Sequence, residues 1–172
     1  MPITRLNHAV LFVSDVSRSV AFYRDVLGFV PIASMASLPG AAFLQAPGST
    51  NDHDLGLFEM GAAAGASQAG RSTVGLYHLA WEVDTLGELE RLRDMLGAAG
   101  ALGGASDHGT TKSLYGRDPD GLEFEIAWII PADQLDDAAL SARTRIGALD
   151  LDKEKSRYGV DTPGGVGIST PA

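Results

Sequence analysis

Apolar and polar positions alternate along two short stretches, each opening on a histidine. The first reads His8-Ala-Val-Leu-Phe-Val-Ser-Asp-Val and the second His78-Leu-Ala-Trp-Glu-Val-Asp-Thr-Leu. Ala9, Leu11 and Val13 fall on one face, as do Leu79, Trp81 and Val83. This period of two predicts half-buried strands. The spacing then turns helical. Val16, Val20, Tyr23 and Leu27 recur before Gly28, with Ser14, Asp15 or Ser17 as N-cap candidates. In the second stretch Thr85-Leu-Gly-Glu88 matches a capping box, and Leu86, Leu89, Leu92 and Leu96 form the buried stripe before Gly97. Both helices are expected to stop at these glycines, where a left-handed backbone closes the last turn. From the histidine to the Leu-Gly pair is 19 residues in the first copy and 18 in the second. The chain therefore reads as an internal repeat.

Gly/Pro-punctuated sequence with short apolar runs follows each helix. In the first copy the runs are 29–33, 41–45 and 55–60; in the second they are weak until 113–115 and 122–130. Each copy predicts one strand, one helix and about three further strands. Module one spans 4–60, a small-residue linker 61–73, and module two 74–130, making 1–130 one domain. The fold class is α+β: two tandem βαβββ modules forming a cupped mixed sheet, with helices on the outside. The concave side is where a small-molecule site is expected. A C-terminal extension, 131–172, predicts a short helix within 135–151 and a loose Gly/Pro/Thr-rich end over 162–172.

Composition narrows the chemistry. The 172 residues are 45% hydrophobic and 20% charged, which suits a globular chain. Thirteen basic residues against 22 acidic ones give a net charge of −9, with no basic cluster. Nucleic acid and anionic membrane are therefore poor partners. The longest uncharged stretch, 26–51, is broken by Pro31, Pro39 and Pro47 and cannot be a membrane-spanning helix. No secretory leader pattern is legible at the N-terminus, so a cytoplasmic location is expected. There is no Cys, which excludes thiolate metal sites and thiol nucleophiles. A metal would have to be held by Asp, Glu or the four His.

His8 and His78 occupy matching positions of the repeat. One such histidine would ordinarily be a hydrogen-bonded or exposed side chain; two at equivalent positions suggest a shared role. Glu125 follows the tight turn Asp118-Pro119-Asp120-Gly121 on an alternating strand. On pattern alone, Glu123 and Glu125 equally fit a solvated face. Glu59 is 51 residues after His8, against 47 from His78 to Glu125, and is taken as its first-copy counterpart. Two His and one carboxylate leave three positions of an octahedral metal open. A fourth ligand from Glu59 would leave two.

The repeated module, the paired His8 and His78, and Gly-Arg-Asp-Pro-Asp-Gly-Leu-Glu-Phe-Glu125-Ile resemble the vicinal oxygen chelate superfamily, over about residues 4–130. The resemblance implies His8, His78 and Glu125 as metal ligands. Asn51-Asp-His53-Asp-Leu-Gly-Leu-Phe58 and Tyr115, ten residues before Glu125, are most similar to the small extradiol dioxygenases. It implies His53 as acid/base, Tyr115 as hydrogen-bond partner of a substrate oxygen, and His108 as a further candidate whose spacing aligns less cleanly. The implied enzyme uses Fe(II), with Mn(II), Ni(II), Co(II) or Zn(II) as alternatives. It cleaves the ring of a catechol-type diol with O2, alone or as a homodimer. Two other readings stand beside it. One is a glyoxalase I- or epimerase-like metalloenzyme with Glu59 as fourth ligand. The other is a non-enzymatic binding protein for an aromatic compound.

Overall fold

The computed structural model describes residues 2, 3, 5–35, 37–69 and 72–165. The chain divides into two compact units, 1–67 with 118–121, and 68–117 with 122–172. Each contains one copy of the repeat and forms its own mixed sheet.

The first unit comprises β1 (Ala9–Val13), α1 (Val16–Asp25), β2 (Val30–Pro31), β3 (Ala41–Gln45) and β4 (Leu55–Glu59), in sheet order β1-β4-β3-β2. β1 and β4 are parallel and the other pairs antiparallel. Of the three candidate caps it is Asp15 that accepts from the Arg18 amide. Leu11, Val13, Leu44, Leu55 and Leu57 are buried, as are Tyr23 and Phe29. The turn 118–121 is held in this unit. Asp120 accepts from the amide and hydroxyl of Ser14 at 2.9 and 2.6 Å and pairs with Arg18 at 2.6 Å. Tyr23 donates to the buried Asp118 at 3.2 Å. Burial, then the Asp118 charge, raises the Tyr23 phenol well above its ordinary range, so the hydroxyl stays a donor.

The second unit comprises β5 (His78–Glu82), α2 (Leu86–Ala98), β6 (Leu102–Asp107), β7 (Thr111–Arg117), β8 (Glu123–Ile129), α3 (Asp137–Ala142), β9 (Gly147–Ala148) and α4 (Leu151–Tyr158), in sheet order β5-β8-β7-β6-β9. Thr85 caps α2 through the Glu88 amide, as the capping box requires, and the Leu86, Leu89, Leu92 and Leu96 stripe is buried. The helix runs one residue past Gly97, and the positive φ falls at Gly100. β6, Leu-Gly-Gly-Ala-Ser-Asp, escapes the hydrophobic pattern because it has one large apolar residue. On the helix-facing side of β7, Gly116 makes room for the Phe124 ring; a Cβ there would come within 2.4 Å of it.

The C-terminal extension is built into this unit. Within 135–151 the short helix is α3, followed by the two-residue strand β9 on the edge of β6 and by a further helix, α4. Asp136 and Asp150 each cap a new helix, which separates the two. Residues 162–165, expected to be loose, are pinned. The Trp128 indole donates to the Thr162 carbonyl at 3.2 Å, and the Gly165 amide to that of Ile129 at 3.1 Å. The remainder of the tail, 166–172, lies outside the described residues.

Lys112 shows why the extension docks. Its side chain is 2% exposed, and Nζ meets Asp107 at 2.6 Å and Glu154 of α4 at 3.1 Å, with Glu154 equally buried. Without Glu154, Lys112 would keep Asp107 and the Gly109 carbonyl but lose its ion pair with α4. The neighbouring Lys153–Glu154 contact is 3.9 Å long with Lys153 68% exposed, and such surface pairs contribute little. Glu154→Ala should therefore lower unfolding free energy by about 1.5 to 3 kcal/mol in urea titration, the loss of one charged buried contact. Lys153→Ala should leave the midpoint within error.

Candidate active site

In the second unit, strand pairing decides which side chains meet. β5 and β8 run parallel with Ala80 opposite Glu125, and β7 runs antiparallel with Tyr115 opposite Glu125. Paired residues share a face and alternate residues return to it. His78, Glu123, Glu125, Ser113 and Tyr115 therefore lie on the same side, opposite Leu114, Phe124 and Ile126 of the core. Glu125 Oε2 stands 3.1 Å from His78 Nε2, and its Oε1 accepts from the Ser113 hydroxyl at 2.5 Å. Glu123, the direct register partner of His78, is engaged elsewhere. Arg117 approaches it at 3.7 Å, and it pushes up the pKa of the Tyr77 phenol that bonds to it.

The donor set suits a divalent cation. Imidazole nitrogen and carboxylate oxygen are ligands for iron, zinc or manganese. Two neighbouring ligands at about 2.1 Å from one ion stand about 3 Å apart, which is the His78–Glu125 spacing found here. Among the described residues, His78 Nδ1 is buried without a hydrogen-bond partner. The ring is thus held by packing and by its contact with Glu125. Among the described residues, no three His, Asp or Glu side chains are gathered as one metal-holding group.

Tyr115 and His108 form the next layer. His108 Nε2 is 2.8 Å from the Tyr115 hydroxyl. Burial, then the Glu125 charge, raises the Tyr115 pKa, so the phenol keeps its proton at neutral pH. The His108 turn is braced by Gly109, whose φ is +79° and where a Cβ would come within 2.6 Å of the Ala142–Arg143 backbone. The end of α3 therefore packs directly against the turn that carries His108.

In the first unit, His8 is exposed, its Nδ1 2.8 Å from the Asn7 side-chain oxygen. The rings of His8 and His53 meet at a 43° tilt with centroids 4.4 Å apart, and Phe43 meets His53 edge-on at 5.1 Å. His53 Nδ1 faces Asp52 at 3.1 Å. The loop before β4 is fixed by Asp54, which accepts from the Ala46 amide, Ser49 and Asn51 at 2.7 to 2.8 Å. Burial acts to raise the Asp54 pKa, but these bonds outweigh it and hold the carboxyl below its ordinary value.

Glu59 is not the counterpart of Glu125. The β1–β4 register pairs Val10 with Gly56 and Val13 with Glu59, so the position equivalent to Glu125 is Gly56. Glu59 lies three residues further on, on the opposite face, where its carboxylate accepts from the Val16 amide at the start of α1 at 3.0 Å. A negative group is favoured at that helix end. Glu59 lies 51 residues after His8, whereas Gly56 lies 48 after it, close to the 47 that separate His78 from Glu125. The residue that sequence reasoning passed over is Ser113. Its alternation with Tyr115 was readable, but its bond to Glu125 depends on a strand pairing that spacing alone does not fix.

A family model of the Glyoxalase/Bleomycin resistance protein/Dioxygenase superfamily matches residues 5–126. No curated protein matches the chain. Among solved structures it is similar to a glyoxylase/bleomycin resistance protein/dioxygenase domain from Frankia sp., at 22% identity and TM-score 0.60, covering 73% of this chain and 92% of that one. It is also similar to a lactoylglutathione lyase from Agrobacterium tumefaciens, at 22% identity and TM-score 0.54, covering 74% and 95%. A fosfomycin resistance protein from Listeria monocytogenes aligns at 20% identity and TM-score 0.54, covering 73% and 93%. Identities this low speak to the fold alone. The repeated module, its strand order and the match over most of its length make this chain a member of the glyoxalase/bleomycin resistance/dioxygenase superfamily, the vicinal oxygen chelate fold.

Proposed function

We propose that this protein is a metal-dependent enzyme with three protein ligands, His8, His78 and Glu125, and that it cleaves catechol-type diols with O2 in the extradiol manner. The observation that carries the reading is Gly56. Where a four-ligand site would need a second carboxylate, the first module has a residue with no side chain. A Cβ there would already stand 3.4 Å from Phe43 and Val10. Three protein ligands leave room for a chelating diol and a second small molecule. The glyoxalase-type alternative depends on Glu59, whose carboxylate is committed to α1.

A bound divalent metal would lower the proton affinity of the diol oxygens and hold the reactants together. The chain supplies the rest. His53 is held by Asp52, Phe43 and His8, and a neutral imidazole there can take a diol proton at physiological pH. Tyr115 keeps its hydroxyl proton and can donate to a substrate oxygen beside Glu125. His108 holds that hydroxyl in place.

Untagged protein loaded anaerobically with Fe(II), then given catechol and air, should produce a yellow ring-opened product. Tyr115→Phe should lower kcat about 10- to 100-fold, as expected for loss of one transition-state hydrogen bond. Iron-loaded protein that turns over no member of a diol panel would refute the assignment. Glu59→Ala should leave metal affinity unchanged and cost only a little thermal stability; a large loss of metal binding would restore the four-ligand reading.

A further inference from the structure

We propose that Ser113 is a positioning residue for metal binding: its hydroxyl clasps Oε1 of Glu125, turns Oε2 toward His78, and so fixes the carboxylate as a one-oxygen ligand. The proposal rests on the reading that His78 and Glu125 hold a metal, and adds to it a residue that does not itself touch the ion.

The geometry is specific. Ser113 is fully buried, so its hydroxyl has little water to bond and must find its partner in the protein. That partner is Glu125, at 2.5 Å. An ionised carboxylate only accepts, so the serine is the donor. The register puts Ser113 opposite Ala127 on β8, two residues from Glu125 on the same face, so the bond runs diagonally along the strand pair. With Oε1 so occupied, Oε2 is the oxygen facing His78 Nε2 at 3.1 Å. Glu125 thus has one oxygen for the protein and one for the ion.

The division also explains why Glu125 is the ligand on this strand rather than Glu123. Glu123 is instead engaged by Arg117 and Tyr77. Hydrogen-bond partners of metal ligands typically govern affinity by 10- to 100-fold.

Co(II) binding to the metal-free full-length protein, followed by calorimetry and by the Co(II) visible spectrum, tests this without relying on turnover. Ser113→Ala should weaken Co(II) about 10- to 100-fold, with circular dichroism unchanged. Ser113→Thr, which keeps the hydroxyl, should bind within about threefold of the parent chain; if it weakens as much as the alanine variant, the hydroxyl is not the cause and the proposal falls. In a Glu125→Gln background the alanine change should add little, because its effect passes through the carboxylate; full additivity overturns the proposal. If Glu125→Gln weakens Co(II) but Ser113→Ala does not, the positioning role is wrong and the metal reading survives. If neither the parent chain nor Glu125→Gln shows a Co(II) dependence, the metal reading fails and takes this proposal with it.

Discussion

Parallel pairing of the first and last strands in each module is the constraint on which the rest depends. A parallel pair needs a long crossover, and each module supplies one, passing through a helix and two intervening strands. The helix covers one sheet face, and the side chains on the other are left to chemistry. In the second unit β8 is held on both edges, by β5 and by β7. Its register is therefore fixed twice. A slip of one residue would send Glu125 to the core face and Phe124 outward. The contact between His78 and Glu125 is thus a consequence of how the strands pair, and Ser113 refines it.

The same constraint separates the two copies chemically. Both begin their first strand next to a histidine, and both bring the last strand alongside it. Only the second has a carboxylate opposite the residue two beyond the histidine, Glu125 opposite Ala80; the first has Gly56 opposite Val10. Glu59, three residues further on, is on the other face and serves α1 instead. One repeat therefore supplies a histidine and a carboxylate, while the other pairs its histidine with His53. The proposed three-ligand centre rests on that asymmetry. The extension contributes indirectly: α3 braces the His108 turn at Gly109, and α4 neutralises Lys112 on the opposite side of β7.

Much of this could be read from the chain. The repeat, the capping residues Asp15 and Thr85, the Leu86–Leu96 stripe and the turn at Asp118 are local patterns, set by neighbours a few residues apart. So the fold class and the superfamily were legible. β6 was not, because Gly103, Gly104, Ala105 and Ser106 carry no alternation of size and become a strand only by pairing with β7. In the extension, β9 and α4 were not legible, because nothing in its periodicity reports that Gly147 and Ala148 pair with β6. Glu59 was misassigned and Ser113 overlooked for a common reason. Both depend on which residue stands opposite which, and register is settled by contacts distant in sequence.

The central claim is a three-ligand metal centre of two imidazoles and one carboxylate. X-ray absorption on Fe(II)-loaded protein, with and without a bound catechol, tests it most directly. The account predicts two imidazole nitrogens and one protein carboxylate, His78→Ala and Glu125→Ala each removing one of them, and two catecholate oxygens joining without loss of a protein ligand. A fourth protein ligand that disappears in Glu59→Ala, or an iron environment unchanged by His78→Ala and Glu125→Ala, would contradict it.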